Sequence, residues 1–313
     1  MKKITLAVFG LFFAGQLHAE ETAAFLKLGV GARALGMGGA YTAIADDSSS
    51  LFWNQAGLSR ISKRELGMSH AELPAQTRYD FLGYVQPTKY GTLGVGGTYL
   101  SQGSLEGRDA SGKPTGGYSA SDSAFQVALS RRLGDGSRLG VGVKYVRSAI
   151  ADASAQTFAV DFGAQHELGL RGPGTPLFGV SVQNLGPGLK FQDQTDSLPL
   201  TLAAGLGYRL PMGLTAALDY RNRPHSASSE FRVGTEYALV PTFALRAGFS
   251  RAVGSQSPRS GGGSSKSGSG GLSEAAGFAA GFGFKVYGYM LDYSMTPFGE
   301  LGHVQRFSLG ARF

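Results

Sequence analysis

The chain contains no cysteine, which excludes a disulfide framework and any thiolate-held metal. Charge is scarce as well. Only 16% of residues are Asp, Glu, Lys or Arg, against about a quarter in an ordinary soluble domain. After residue 20 no apolar run approaches the roughly 20 residues that a membrane-spanning helix needs, so a helical membrane protein is excluded. The five histidines (His18, His70, His166, His225 and His303) are far apart and show no ligand spacing. No nucleophile, base and acid recur together. The sequence therefore predicts neither an enzyme nor a bound cofactor or metal. The formal charge is +7, but the basic residues form no stripe or basic helix, which argues against nucleic acid as a partner.

What is abundant is glycine, 49 of 313 residues, together with 11% aromatics. Glycine disfavours helices and aromatics favour strands. The opening residues add a compartment: Lys2-Lys3, an apolar run from Ile4 to Ala14, and a small residue, Ala19. Charge, short apolar run and small residue in that order make a secretory signal peptide over 1–19. No Cys follows it, so lipid attachment there is not expected.

From about residue 62 the dominant pattern is alternation with period two, the mark of a strand with two unlike faces. In 276–286, Phe278, Ala280, Phe282, Phe284 and Val286 oppose Gly277, Gly281, Gly283 and Lys285. In 231–239, Phe231, Val233, Tyr237 and Leu239 oppose Arg232, Gly234 and Glu236. One face is apolar and the other mixes glycine with charge. In a secreted protein that combination fits a membrane barrel, whose apolar face meets lipid and whose charges line the lumen. The candidate strands are 63–72, 77–87, 91–102, 123–133, 138–149, 155–168, 176–185, 199–210, 213–221, 228–239, 242–252, 274–285, 288–296 and 301–313. The fold class read from this is all-β, a transmembrane antiparallel β-barrel of about 14 strands over 61–313.

Connection lengths carry further information. Connections after even-numbered strands are tight, while 103–122, 186–198 and 253–273 are long. Membrane barrels have short periplasmic turns and longer outer loops, so both termini are expected in the periplasm, with the barrel in the bacterial outer membrane and lipid around it. The 253–273 connection is rich in Gly and Ser and reads as a disordered outer loop. A turn centred on Pro241 would place Glu236 directly opposite Arg246, as a structural ladder.

Residues 20–60 do not alternate. Asp47 or Ser48 is placed to cap a short helix through Trp53 that ends at Gly57, and Asp46 reads as a solvated neighbour of the cap. Gly29, Gly31, Gly36, Gly38 and Gly39 lack the spacing of a phosphate loop. The stretch Leu28–Tyr41 (with Arg33), Ala45-Asp46-Asp47 and Trp53-Asn54-Gln55-Ala56-Gly57-Leu58 closely resembles the opening of the PorV/PorQ family of outer-membrane proteins, which is in turn similar to FadL-type long-chain fatty-acid transporters. Those families carry Pro at the position of Gln55, so the local turn is less constrained here. The resemblance implies a fourteen-stranded barrel whose N-terminal segment, 20–60, folds into the lumen as a plug. It also implies one of two functions. The first is passive transport of hydrophobic small molecules, with sideways exit into lipid. The second is service as an outer-membrane partner of a type IX-like secretion system that binds protein cargo.

A sideways exit needs an interrupted ladder, and Gly94, Gly96 and Gly97 mark one candidate gate. The same glycines equally suit close approach of the plug. Phe307, Leu309 and Phe313, on one face of the last strand, resemble the C-terminal signal read by the barrel-assembly machinery.

Overall fold

The structure, a computed structural model, describes residues 21–109, 111–169, 172–191, 193–253, 277–298 and 302–313. The expected signal peptide and the Gly/Ser-rich stretch from 254 onward lie outside the described residues. Seven strands come first: β1 (Glu65–Leu73), β2 (Thr77–Thr88), β3 (Gly91–Arg108), β4 (Pro114–Arg132), β5 (Ser137–Ile150), β6 (Ala153–Glu167) and β7 (Thr175–Leu185). A small hairpin follows, β8 (Leu189–Phe191) with β9 (Gln194–Asp196). The remaining strands are β10 (Thr201–Arg209), β11 (Leu214–Arg223), β12 (Ser228–Val240), β13 (Phe243–Val253), β14 (Phe278–Val286), β15 (Tyr289–Pro297) and β16 (His303–Arg312). All but β8 and β9 form one closed antiparallel barrel of fourteen strands, each paired with its neighbours in sequence. The last strand closes on the first, with Glu65 opposite Arg312 and Met68 opposite Leu309.

Alternation places the faces as expected. Phe278, Phe282, Phe284, Phe231, Val233, Tyr237, Phe307 and Leu309 are exposed on the outside, while Gly234, Arg246, Gly281 and Arg306 face in. This reverses a soluble barrel: the exposed surface is the apolar one. Glu236 lies directly opposite Arg246, as the Pro241 turn requires. The end beside Phe313, the short-turn end, carries the turns 89–90, 241–242 and 287–288; the 186–200 connection lies at the opposite, long-connection end, which also has the short turns 74–76 and 151–152.

Two expectations need correction there. Residues 103–122 are not an open loop. β3 runs on to Arg108 and β4 begins at Pro114, paired beyond a register shift between Gln102 and Leu105. Above the apolar belt both faces meet water, so period two fades although the ladder continues. The 186–198 connection, in turn, contains the β8–β9 hairpin, whose Leu189 is fully buried.

Residues 21–61 lie inside the barrel. A 3-10 turn (Ala24–Lys27), the helix α1 (Ala32–Gly36), the helix α2 (Ser50–Trp53) and a second 3-10 turn (Gln55–Arg60) cross it. α1 packs on β13–β16, and the second 3-10 turn packs on β3–β6. The molecule's hydrophobic core is this segment: Phe25, Val30, Met37, Tyr41, Ile44, Leu51, Trp53 and Leu58 are almost wholly buried. Inward glycines make the room. A Cβ on Gly94 would lie 2.9 Å from both Leu51 and Leu58.

Candidate functional site

The lumen is built around the N-terminal segment, and most of the motif residues serve to seat it. Trp53 is its centre. Its Nε1 donates to the Val30 carbonyl at 2.9 Å, its ring meets Phe52 and Tyr41 edge-on at 5.1 and 6.2 Å, and the Arg221 guanidinium lies over it at 4.8 Å. Gly29 and Gly39 lie against the same ring, where a Cβ would come within 2.9 and 3.1 Å of it. A Trp53→Ala chain would lose about 3–5 kcal/mol of packing within the segment. Limited proteolysis is expected to cut 21–61 in this variant while the barrel keeps its folded gel mobility. A segment as resistant as wild type would remove Trp53 from this role.

Asn54 and its neighbours are stitched to β6 and β7 by side-chain amides. Asn54 Nδ2 donates to the carbonyls of Thr42, Ala164 and Val180 at 2.8, 3.1 and 3.3 Å. Gln165 Nε2 donates to Thr42 and Ala45 carbonyls (both 3.2 Å), and Gln183 Nε2 to those of Phe52 and Trp53 (2.8 and 2.7 Å). Gln55, where a proline was expected, reaches Asp161 at 3.0 Å. Asp161 also accepts from Gln126 and from the Asn184 backbone, and pairs with Lys144 at 2.9 Å. These wall residues were not singled out from the sequence. The available signal was a polar residue on the glycine-bearing face, as at Gln126, Asp161, Gln165 and Gln183.

At the short-turn end Arg33 is a hub. It grips Glu236 with two bonds of 2.8 and 2.9 Å, and also reaches Asp46 at 2.5 Å and Asp47 at 3.4 Å. Arg246 holds Glu236 and Asp292 at 2.6 and 2.7 Å, and Arg312 holds Glu65 at 2.6 Å. Asp46 is thus an ion-pair partner and not the solvated neighbour expected of it. Burial alone would raise its carboxyl, but Arg33 and Arg209 outweigh that and hold it below its ordinary value. Burial pushes the Tyr41 hydroxyl well above its usual range, which keeps it a donor to Asp47 at 2.6 Å.

The expected cap also differs. α2 starts at Ser50, and the Asp47 side chain accepts the Ser49 N–H at 3.0 Å, one turn early. The helix stops at Trp53 because Asn54 is extended. Gly57 sits within the following 3-10 turn, where a Cβ would come 2.6 Å from the Ser50 hydroxyl.

Gly31, Gly36 and Gly38 belong to the α1 turn. Gly94, Gly96 and Gly97 lie in an unbroken ladder with β2 and β4. On the inner face Gly94 and Gly96 admit Leu51 and Leu58; a Cβ on Gly97 would press on the Ala124 carbonyl at 2.6 Å. In the described barrel the register shifts lie elsewhere, at Gln102/Leu105, Gly107/Arg108, Val160/Phe162 and Ala238/Val240. Phe307, Leu309 and Phe313 point outward.

The model of an uncharacterised protein family, UPF0164, matches residues 12–257. The chain belongs to the UPF0164 family. No curated protein matches its sequence. Among solved structures, the Ralstonia pickettii toluene transporter TbuX is similar with a TM-score of 0.57 at 13% identity, covering 91% of this chain and 98% of its own. The CymD monoaromatic hydrocarbon channel gives 0.63 at 12% identity, over 91% and 98%. The Pseudomonas putida toluene transporter TodX gives 0.57 at 13%, over 95% and 98%. At such identities the likeness is one of fold, and it covers nine-tenths or more of the UPF0164 chain.

Proposed function

We propose that this UPF0164 barrel resides in the bacterial outer membrane, termini in the periplasm, and passes hydrophobic small molecules, with 20–60 as its plug. The observation that carries the reading is an apolar belt facing outward around a lumen filled by the chain's own N-terminal segment. A filled lumen blocks bulk diffusion of polar solutes, while an apolar solute that has entered the barrel can leave it for lipid without a water-filled pore. The fold likeness to TbuX, CymD and TodX supports this reading. Vesicles containing the purified chain are expected to take up toluene faster than empty ones while remaining sealed to sucrose. Equal uptake of toluene, or free entry of sucrose, would refute it.

A second reading, a partner of a protein-secretion machine, draws on the PorV/PorQ-like motif of residues 28–58. It is favoured by one feature of the barrel: the β3–β4 hairpin stands well above the apolar belt, as a rim on which cargo could rest. Secreted proteins or a translocon co-purifying with the barrel would support it, as would neighbouring translocon genes. On either reading, Phe307, Leu309 and Phe313 serve as the signal for barrel assembly.

A further inference from the structure

Two cavities lie between the N-terminal segment and one stretch of wall. The larger, about 970 Å³, is at the long-connection end and is lined by Leu28, Leu35, Arg232, Phe249, Ala279 and Arg306 among others. The smaller, about 330 Å³, is at the short-turn end, lined by Arg33, Asp46, Glu236, Arg246, Lys285 and Asp292 among others. On three strands the inward residue between them is glycine: Gly234 on β12, Gly248 opposite it on β13, and Gly281 on β14. A step of two strand residues is only roughly 7 Å. What fills that step is α1 and the residues just after it.

The contact there is backbone on backbone. A Cβ on Gly36 would lie 3.4 Å from the Gly281 Cα, and one on Gly38 would lie 2.8 Å from the Phe249 nitrogen. Three wall side chains of β12 and β13 border this contact: Glu236 holds Arg33, Arg246 lies beside Gly36, and the Arg232 guanidinium lies against Gly39. The turn's hydrogen bonds are its own: Met37 N–H to Ala34, Gly38 to Leu35, Gly39 to Ala34 and Ala40 to Met37. Among the described residues, none of 34–40 hydrogen-bonds the wall. The turn is tied only at its start, by Arg33, by Ala32 N–H to the Ser308 hydroxyl and by Gly31 N–H to that of Ser69. Gly31, Gly38 and Gly39 have φ of 79°, 64° and 74°, left-handed values that glycine adopts at no cost and that suit a pivot at each end. Residues 41–60, by contrast, are pinned to β4–β7 and to Asp219 through the Tyr41 and Thr42 N–H groups at 3.0 and 2.9 Å.

We infer that the two cavities are the ends of one route along β12–β16, and that the 31–39 turn is its gate, moving into the larger cavity while 41–60 stays fixed. The inference rests on the reading of the barrel as a conduit, but it concerns where the lumen opens.

The absence of cysteine allows a clean test. The Arg246 Cβ lies 3.4 Å from where a Cβ on Gly36 would stand, close to disulfide geometry. Potassium chloride current through the full-length Gly36→Cys/Arg246→Cys barrel in a planar bilayer is expected to show openings when reduced and to lose them on oxidation. An Ala56→Cys/Ser130→Cys pair, across the 2.9 Å bond from the Ser130 hydroxyl to the Ala56 carbonyl, is expected to leave openings in an Arg33→Ala background unaltered by oxidation. Should the first pair not assemble, thiol labelling of a single Gly36→Cys replaces it: labelling from the short-turn side, faster in the Arg33→Ala background, is expected. Openings that survive the oxidised first lock, openings abolished by the second, or a Gly36→Cys that never labels would each overturn the route. Gated current without any toluene uptake would leave the route standing and refute the hydrophobic-transport reading.

Discussion

An Arg33→Ala barrel is expected to conduct ions where the wild-type barrel is closed. Among the described residues, Arg33 is the one side chain that joins the start of the α1 turn to both the wall, at Glu236, and the pinned part of the segment, at Asp46 and Asp47. Removing it leaves three carboxylates near one another with Arg246, Arg209 and Arg312 as remaining counter-charges. Breaking a fully buried pair costs about 3–5 kcal/mol. The Arg33 side chain is 23% exposed, so solvent screening reduces this to about 1–3 kcal/mol. Such a change shifts the closed-to-open ratio by about 5- to 150-fold. Arg33→Lys keeps the charge but loses the two-pronged grip on Glu236, and is expected to fall between the two. Acid should act in the same direction. The Asp46 pKa is lowered in the folded chain, so its contribution is complete above the ordinary carboxylate range and is lost as pH falls through the depressed value. Bilayer current measured for the three chains from neutral to acid pH checks this; a silent Arg33→Ala barrel would show that the latch does not hold the gate.

The barrel wall was largely legible in the sequence, and the interior was not. Period-two alternation depends only on each strand having an exposed apolar face on one side and the lumen on the other. All fourteen strands could therefore be read locally, as could the pairing of Glu236 with Arg246. The reading failed where that asymmetry ends, at the tops of β3 and β4, whose two faces both meet water. Residues 21–61 have no such period because their partners come from many strands far away in sequence. Asn54 illustrates this. Its spacing in a motif marks it as unusual, but its bonds to Ala164 and Val180 are visible only once β6 and β7 are in place. Gln55 was legible merely as a missing proline, whereas in the fold its amide is part of a buried polar cluster. Asp46 misled for the same reason: a carboxylate beside a cap looks solvated until Arg33 is folded against it.

In that buried cluster a single substitution should cost the barrel wall heavily in stability. Asp161 is fully buried. One of its oxygens accepts from Lys144, Gln126 and Gln55 at 2.9, 2.9 and 3.0 Å; the other accepts the Asn184 N–H at 2.7 Å. The last bond has a backbone origin. β6 and β7 lose register between Val160 and Phe162, and Asn184 takes a φ of 61°, so its N–H leaves the ladder and the carboxylate replaces the missing acceptor. Asp161→Ala leaves that N–H and two amides without this partner, and leaves the Lys144 ammonium with Asn184 Oδ1 alone, at 2.7 Å. Stripping one member from a buried pair costs about 3–5 kcal/mol. Asp161→Asn preserves shape and one acceptor but not the charge, and should cost about 1–3 kcal/mol. Adding Lys144→Met to Asp161→Ala should recover part of the loss, because the two act as a pair. Urea unfolding of the barrel in vesicles, followed by gel mobility, should rank the variants in that order. An Asp161→Ala barrel within about 0.5 kcal/mol of wild type would mean that the cluster is not structural. Gln55 draws on the same carboxylate, so the N-terminal segment should become protease-sensitive in Asp161→Ala even before the barrel unfolds, whereas loss of Arg33 should free the α1 turn and leave 41–60 protected.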